Sequence, residues 1–291
     1  MLTKHPGYLP LYEIEGTVNF DQNPAFHDPR VCPGFQDGLA NFKNWLIGSV
    51  DSGDSKTIYK FGDGDYYFLK KIPIGSASPG KRAISKSYES LKNHNLFVEG
   101  VLKNDIIAAE IYNVAMFKDL FPNANVHLPA EYGYGLVANR WLTRQFAGKI
   151  GLIGADRKLE LIRSLLKNGE YQQFLGLEDF SDYIKIPQKF ACDDLDEVES
   201  SVAKQLENCK EETKIFLVGV GHVKSGLLHR LKKYKNAIFY DVGSGIDALS
   251  GIVDFGRPFM GAWTNYRMKS LNYENIDFLQ YIPDPSRERW I

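Results

Sequence analysis

The sequence predicts one α/β domain built on a mainly parallel sheet with helices on both faces, and three observations carry that prediction. Apolar runs of strand length, KIGLIGA at 149–155, KIFLVGVG at 214–221 and the start of NAIFYDVGSG at 236–245, are continuous rather than alternating. Strands buried on both faces read this way. Amphipathic stretches alternate with these runs, and glycines follow the last two of them. Strand, helix, strand in that rhythm gives a crossover connection and hence parallel pairing.

The elements follow in order. Residues 1–55 form an irregular N-terminal wrap rich in proline and glycine, in which only FQDGLANFKNWLIGSV has a helical pattern. KTIYKFGDGDYYFLKKI is a short β-type run, a turn and an aromatic-rich stretch. In NDIIAAEIYNVAMFKDLF, Ile107, Ile111, Val114 and Ala115 stand at helical spacing, with Asn104 or Asp105 as cap and Phe121-Pro122 as stop. RKLELIRSLLKNG is amphipathic and closed by Gly169. DDLDEVESSVAKQLENCKE puts Leu195, Val198, Val202 and Leu206 on one face, with Asp194 and Glu197 as an Asp-x-x-Glu capping box. HVKSGLLHRLKKY is the helix between the last two strands. The main domain runs over 56–270, and 271–291 is a tail.

Composition excludes several classes. With 35 Lys+Arg against 36 Asp+Glu the formal net charge is −1, without the basic excess that nucleic-acid binding through phosphates needs. No stretch approaches the roughly 18 apolar residues of a membrane span, and no apolar leader opens the chain, so the expectation is a cytoplasmic protein with no integral membrane segment. Three cysteines, Cys32, Cys192 and Cys209, are too few and scattered for a disulfide framework. The six histidines show no metal-ligand spacing, and there is no Gly-x-Ser-x-Gly elbow.

Three local features carry chemistry. In Phe61-Gly62-Asp63-Gly64-Asp65-Tyr66, two acids flank a glycine directly after a β-type run. Carboxylates this close repel unless a cation or donor sits between them, and oxygen ligands suit Mg²⁺ or Mn²⁺ shared with substrate phosphates. The plain alternative is an Asp-Gly turn joining two strands. In Val218-Gly219-Val220-Gly221-His222-Val223-Lys224-Ser225-Gly226, a glycine-bearing strand–helix junction offers N–H groups to a phosphate. Asp241, at the end of the next strand, stands where a dinucleotide fold places its ribose-binding acid, although Lys224 occupies the place of the third glycine. A helix-packing turn is the alternative. Gly75–Arg82 nearly spells an NTPase phosphate loop, but Arg82 replaces the Mg²⁺-binding hydroxyl and Pro79 removes an N–H. That reading fails, and Lys81 and Arg82 are left facing a diphosphate or solvent. The last polar and aromatic segment holds Gly243, Ser244, Asp247 and, further on, Asp254, Arg257 and Arg267.

Taken together, Phe-Gly-Asp-Gly-Asp after a strand, Ile-Phe-Leu-Val-Gly-Val-Gly before a helix and Tyr-Asp-Val-Gly-Ser at a strand end resemble the GT-D-type glycosyltransferases over roughly residues 55–270. The first piece is similar to that family's Gly-Asp-Gly-Glu element, with Asp65 in place of the Glu. The resemblance implies a Rossmann-like domain, a nucleotide-sugar donor and a divalent metal, Mn²⁺ or Mg²⁺, with Asp63 and Asp65 as metal and donor-phosphate residues. The donor site expected from these motifs comprises Gly62, Asp63, Gly64, Lys81, Arg82, Gly219, Gly221, His222, Ser225, Asp241, Gly243, Ser244 and Arg257. Asp247, Asp241 and His222 are the candidate bases. The function expected is metal-dependent transfer of a sugar from a UDP-sugar to a glycan or protein-linked acceptor. An S-adenosylmethionine-dependent methyltransferase and a non-catalytic nucleotide-sugar-binding module are the alternatives.

Overall fold

The computed structural model describes residues 34–72, 91–186 and 191–250, apart from Lys92 and Asn139. Residues 1–33, Gly75–Arg82 with Lys81 and Arg82, and everything from Gly251 onward, including Asp254, Arg257, Arg267 and the 271–291 tail, lie outside the described residues.

Seven strands form one sheet: β1 (Lys56–Phe61), β2 (Ile106–Ala109), β3 (Leu128–Pro129), β4 (Ile150–Ala155), β5 (Tyr183–Ile186), β6 (Ile215–Gly219) and β7 (Ile238–Asp241). Their order is β3-β2-β1-β7-β6-β4-β5, and every pairing is parallel. The register sets Ile58 opposite Ile106, Thr57 opposite Phe239, Leu217 opposite Tyr240 and Ile153 opposite Val218.

Side chains alternate across a strand, so continuous apolar runs feed two cores. Ile58, Leu152, Ile215, Leu217, Ile238 and Tyr240 face one layer. Tyr59, Phe61, Ile153, Phe216, Val218 and Phe239 face the other. The first layer is covered by α1 (Phe35–Ser52), α5 (Glu131–Ala138), α6 (Trp141–Gln145), α7 (Asp156–Leu165), α8 (Gly169–Leu175) and α11 (Gly245–Leu249). The second lies under α2 (Asp63–Lys70), α3 (Asn95–Val101), α4 (Val114–Leu120), α9 (Leu195–Leu206) and the segment from α10 (Lys224–Leu227) through a 3₁₀ stretch at Leu228–Lys233. Among the described residues, no helix is long and apolar enough to cross a membrane.

The helical pattern read in the N-terminal wrap is α1, and it belongs to the sheet's own core. Phe35, Leu39, Phe42, Leu46 and Val50 recur at spacings of three and four and are buried against Tyr132 and Tyr240. Helix α9 matches expectation closely: its four predicted face residues are buried, and Asp194 Oδ1 accepts from Glu197 N–H at 2.9 Å.

Elsewhere the structure corrects the reading. Residues 104–121 are not one helix, because Ile106–Ala109 is strand β2 and only Val114–Leu120 is α-helical. Asp105 caps nothing; it accepts from Thr57 N–H (2.8 Å) and Thr57 Oγ1 (3.0 Å) and pairs with Lys232, tying β2 to β1. Gly169 does not close α7 but opens α8, for which Asn168 is the N-cap. Residues 222–234 make a short α-helix between two 3₁₀ stretches rather than one regular helix. Gly62–Asp65 does not turn between two strands: β1 runs into α2 at Asp63.

Candidate functional site

In an open parallel sheet, ligands bind in the crevice beyond the strands' carboxyl ends. Here β1, β7 and β6 are neighbours, so Gly62–Asp65, Val242–Ser244 and Val220–Ser225 leave the same edge side by side. Three pieces of sequence spread over 180 positions therefore meet.

At the centre is Lys224, in α10 and 5% exposed. Its Nζ lies 3.1 Å from Asp65 Oδ2 and 2.7 Å from Asp241 Oδ2, and it donates to the Lys60 carbonyl. The Tyr59 ring centroid is 4.7 Å away, within cation–π range. Asp65 folds back over the first turn of α2, where Oδ2 accepts from Gly62 N–H at 2.9 Å. Burial alone would raise the Asp65 carboxyl, but the Lys224 ammonium, assisted by His222 and Lys60, outweighs it and holds the group well below the usual carboxylate range. Asp241 ends β7 at 1% exposure and accepts from Lys60 N–H (3.1 Å) and Gly243 N–H (3.0 Å) besides Lys224. Both of its oxygens are thus engaged inside the protein, and it anchors the edge.

His222 is half-buried in the 3₁₀ turn after β6. Its ring stacks on Phe68 with centroids 4.6 Å apart and planes at 10°, and Nδ1 lies 3.6 Å from Asp65 Oδ1. Gly64 borders it: a Cβ on Gly64 would sit 3.5 Å from His222 Cε1. Asp63 is exposed at the start of α2 and accepts from Gly64 N–H at 2.7 Å.

On the other face of β1 lies a second polar group that the sequence reading missed. Lys60 Nζ is 2.9 Å from Glu110 Oε1 and 5.0 Å from the Tyr134 ring centroid, and Tyr134 OH donates to Glu110 Oε1 at 2.7 Å. Asn113 donates to the other Glu110 oxygen. Burial pulls the Lys60 ammonium down, but Glu110 and then Asp65 more than reverse this. Deeper, Glu131 Oε1 accepts from Ile111 N–H at 2.9 Å, while its Oε2 has no hydrogen-bond partner among the described residues. Burial pushes this carboxyl up to about 7 against that hydrogen bond, and Glu110 adds to the rise. A lysine inside the apolar run KTIYKF was the available signal for Lys60. Glu110 was hidden by the single-helix reading of 104–121.

Other expected site residues fall elsewhere. Ser225 is fully buried, its Oγ 2.8 Å from Tyr59 OH, so it holds the core rather than a ligand. A Cβ on Gly219 would lie 2.4 Å from Ile246 Cγ1 and 2.9 Å from the Gly243 carbonyl, which makes this glycine a packing contact between β6 and α11. Gly221 and Gly243 sit at φ 63° and 51°, where a side chain is strained, and both shape the turns at the edge. Ser244 follows in the same turn, half-buried. Asp247 is half-buried and ion-paired to Lys158 of α7, outside the Lys224 cluster.

The acidic pair does not fit a divalent cation. Asp63 is exposed and tied to its own helix start, whereas Asp65 is buried with an ammonium 3.1 Å from its inner oxygen. Among the described residues, no group of three His, Cys, Asp or Glu side chains is arranged to hold a metal ion. Asp65 has its counter-charge in Lys224, which it shares with Asp241 of β7.

No family model matches the chain, and no curated protein matches it. Solved structures that align include a selenomethionine-substituted domain of unknown function 1792, 14% identical over 73% of this chain and 80% of that one, with a TM-score of 0.42. A second structure of that domain, described as having a distinct glycosyltransferase fold, is 14% identical over 73% and 80%, with a TM-score of 0.41. A glycosyltransferase of the same domain type from Streptococcus sanguinis is 12% identical over 74% and 84%, also with a TM-score of 0.41. Superpositions this loose carry no inference about the chemistry of this chain's residues.

Proposed function

We propose that the chain is a glycosyltransferase that moves a sugar from a nucleotide-sugar donor, a UDP-sugar, to a hydroxyl of a glycan or protein-linked acceptor. One observation carries the reading. The three segments that resemble this enzyme class in sequence lie on the adjacent strands β1, β6 and β7 and leave the sheet at one carboxyl edge.

Sugar transfer asks an enzyme mainly to position two substrates and to stabilise a departing diphosphate. Lys60 and Lys224 border this edge, the first fixed by Glu110 and the second by Asp65 and Asp241, so that the groups lining it need no reorganisation as the bond breaks. His222 is the group in this cluster suited to proton transfer. Stacking on Phe68 fixes its plane, Asp65 faces Nδ1, and Nε2 is the nitrogen that takes the acceptor's proton.

The test is nucleotide diphosphate release across a panel of nucleotide sugars, with and without acceptor glycans. One donor, containing UDP, should be turned over, and His222→Gln should lower that rate by about 10²–10⁴-fold with little change in melting temperature. No release from any donor, together with a melting shift from S-adenosylmethionine, would replace this reading with the methyltransferase.

A further inference from the structure

We infer that Lys224 is a built-in substitute for the divalent cation, so that this chain binds its nucleotide diphosphate without a metal ion at the acidic motif. The inference rests on the glycosyltransferase reading for its ligand, but its structural half stands without it.

An ammonium has three N–H donors and no acceptor. Lys224 faces three fixed oxygens: it donates to the Lys60 carbonyl and ion-pairs with Asp65 Oδ2 and Asp241 Oδ2. These acceptors come from α2, β7 and β1, the three elements that converge at the edge. The arrangement is what an oxygen-seeking cation would select, with two carboxylates and a carbonyl about one point. A magnesium ion needs near-octahedral oxygen ligands at about 2.1 Å, and an ammonium within 3.1 Å of both acids already fills that space.

The rest of the site agrees. Lys224 is 5% exposed and Asp241 1%, so neither group is free to swing away, and the Tyr59 ring closes the side of the ammonium. Asp65 has its inner oxygen tied to Gly62 N–H and turns its outer oxygen to His222, not to Asp63. The motif that elsewhere would collect a metal is here an internal ion pair. It locks the start of α2 to the end of β7.

Two measurements test this. In the first, the melting temperature of the purified full chain is recorded with EDTA, Mg²⁺ or Mn²⁺, without nucleotide, for the wild type and for Lys224→Ala. The wild type should not respond. The variant, with two buried acids facing a vacated point, should melt lower in EDTA and recover several degrees with Mn²⁺. A rise in the wild type with Mn²⁺, or a folded variant that gains nothing from it, overturns the inference. In the second, which needs no variant, UDP affinity of the wild type is compared in EDTA and in Mn²⁺. Values within about twofold support the inference, and a tenfold or larger loss in EDTA overturns it even if Lys224→Ala does not fold. Absence of UDP binding in both buffers would count against the glycosyltransferase reading instead, and the melting arms would then decide on Lys224 alone.

Discussion

Replacing Glu131 with Gln should change how the protein's stability depends on pH, moving the difference from wild type in the variant's favour as pH rises through neutral. The residue starts α5, beside the β3 end, and is 5% exposed. Its carboxyl is pushed up to about 7 from an ordinary 4.5, first by burial, while the Ile111 N–H and Lys60 oppose the shift and Glu110 adds to it. The folded state therefore holds a proton that the unfolded chain releases near pH 4.5. Its contribution is fully present below that pH and is lost as pH rises through about 7. At about 1.4 kcal/mol per pKa unit, the loss between pH 5 and pH 8 comes to about 2–3 kcal/mol. Glutamine keeps the shape and the acceptor for Ile111 N–H but cannot ionise. It places an amide at the position of Oε2, where burial of a polar group without a partner costs the same at every pH.

The assay is urea unfolding of both proteins at about pH 5 and about pH 8. The stability difference between Glu131→Gln and wild type should move in the variant's favour by about 2–3 kcal/mol across that interval. Carboxylates whose pKa is depressed, Asp65, Glu110 and Asp105, lose their contributions as pH falls, and they do so in both proteins, so the comparison isolates Glu131. If the two proteins kept a constant difference from pH 5 to pH 8, the buried-proton argument would be refuted.

Two further outcomes follow from packing and burial. Gly100→Ala should destabilise by about 1–3 kcal/mol, because its Cβ would fall 2.0 Å from the Ser225 carbonyl, a main-chain atom that cannot step aside; an unchanged melting temperature would show that α3 and α10 separate easily. In a Cys32→Ser background, no thiol should react with Ellman's reagent at pH 8 before unfolding, since burial pushes Cys192 and Cys209 each up to about 12; rapid labelling of either would disprove it.

The sequence by itself determined what local chemistry controls. Continuous apolar runs marked β4, β6 and β7 because strands with helices over both faces must be apolar on both. Asp194 and the periodic Leu195, Val198, Val202 and Leu206 marked α9, since a cap and a buried stripe are set within a dozen residues. The same local logic failed at 104–121, where isoleucines at helical spacing serve a strand, because pairing with β1 overrides local spacing. Phe61–Asp65 was legible as a site of two close acids, but that they part, Asp63 exposed and Asp65 facing a buried cation, was not. Only the tertiary structure decided that the cation is Lys224, and that Lys60, Glu110 and Tyr134 form a second polar group on the opposite face of β1. The physical reason is that strand order places β7 between β1 and β6, although β7 comes last in the chain. A side chain's charge environment is set by such spatial neighbours, and no periodicity along the sequence encodes them.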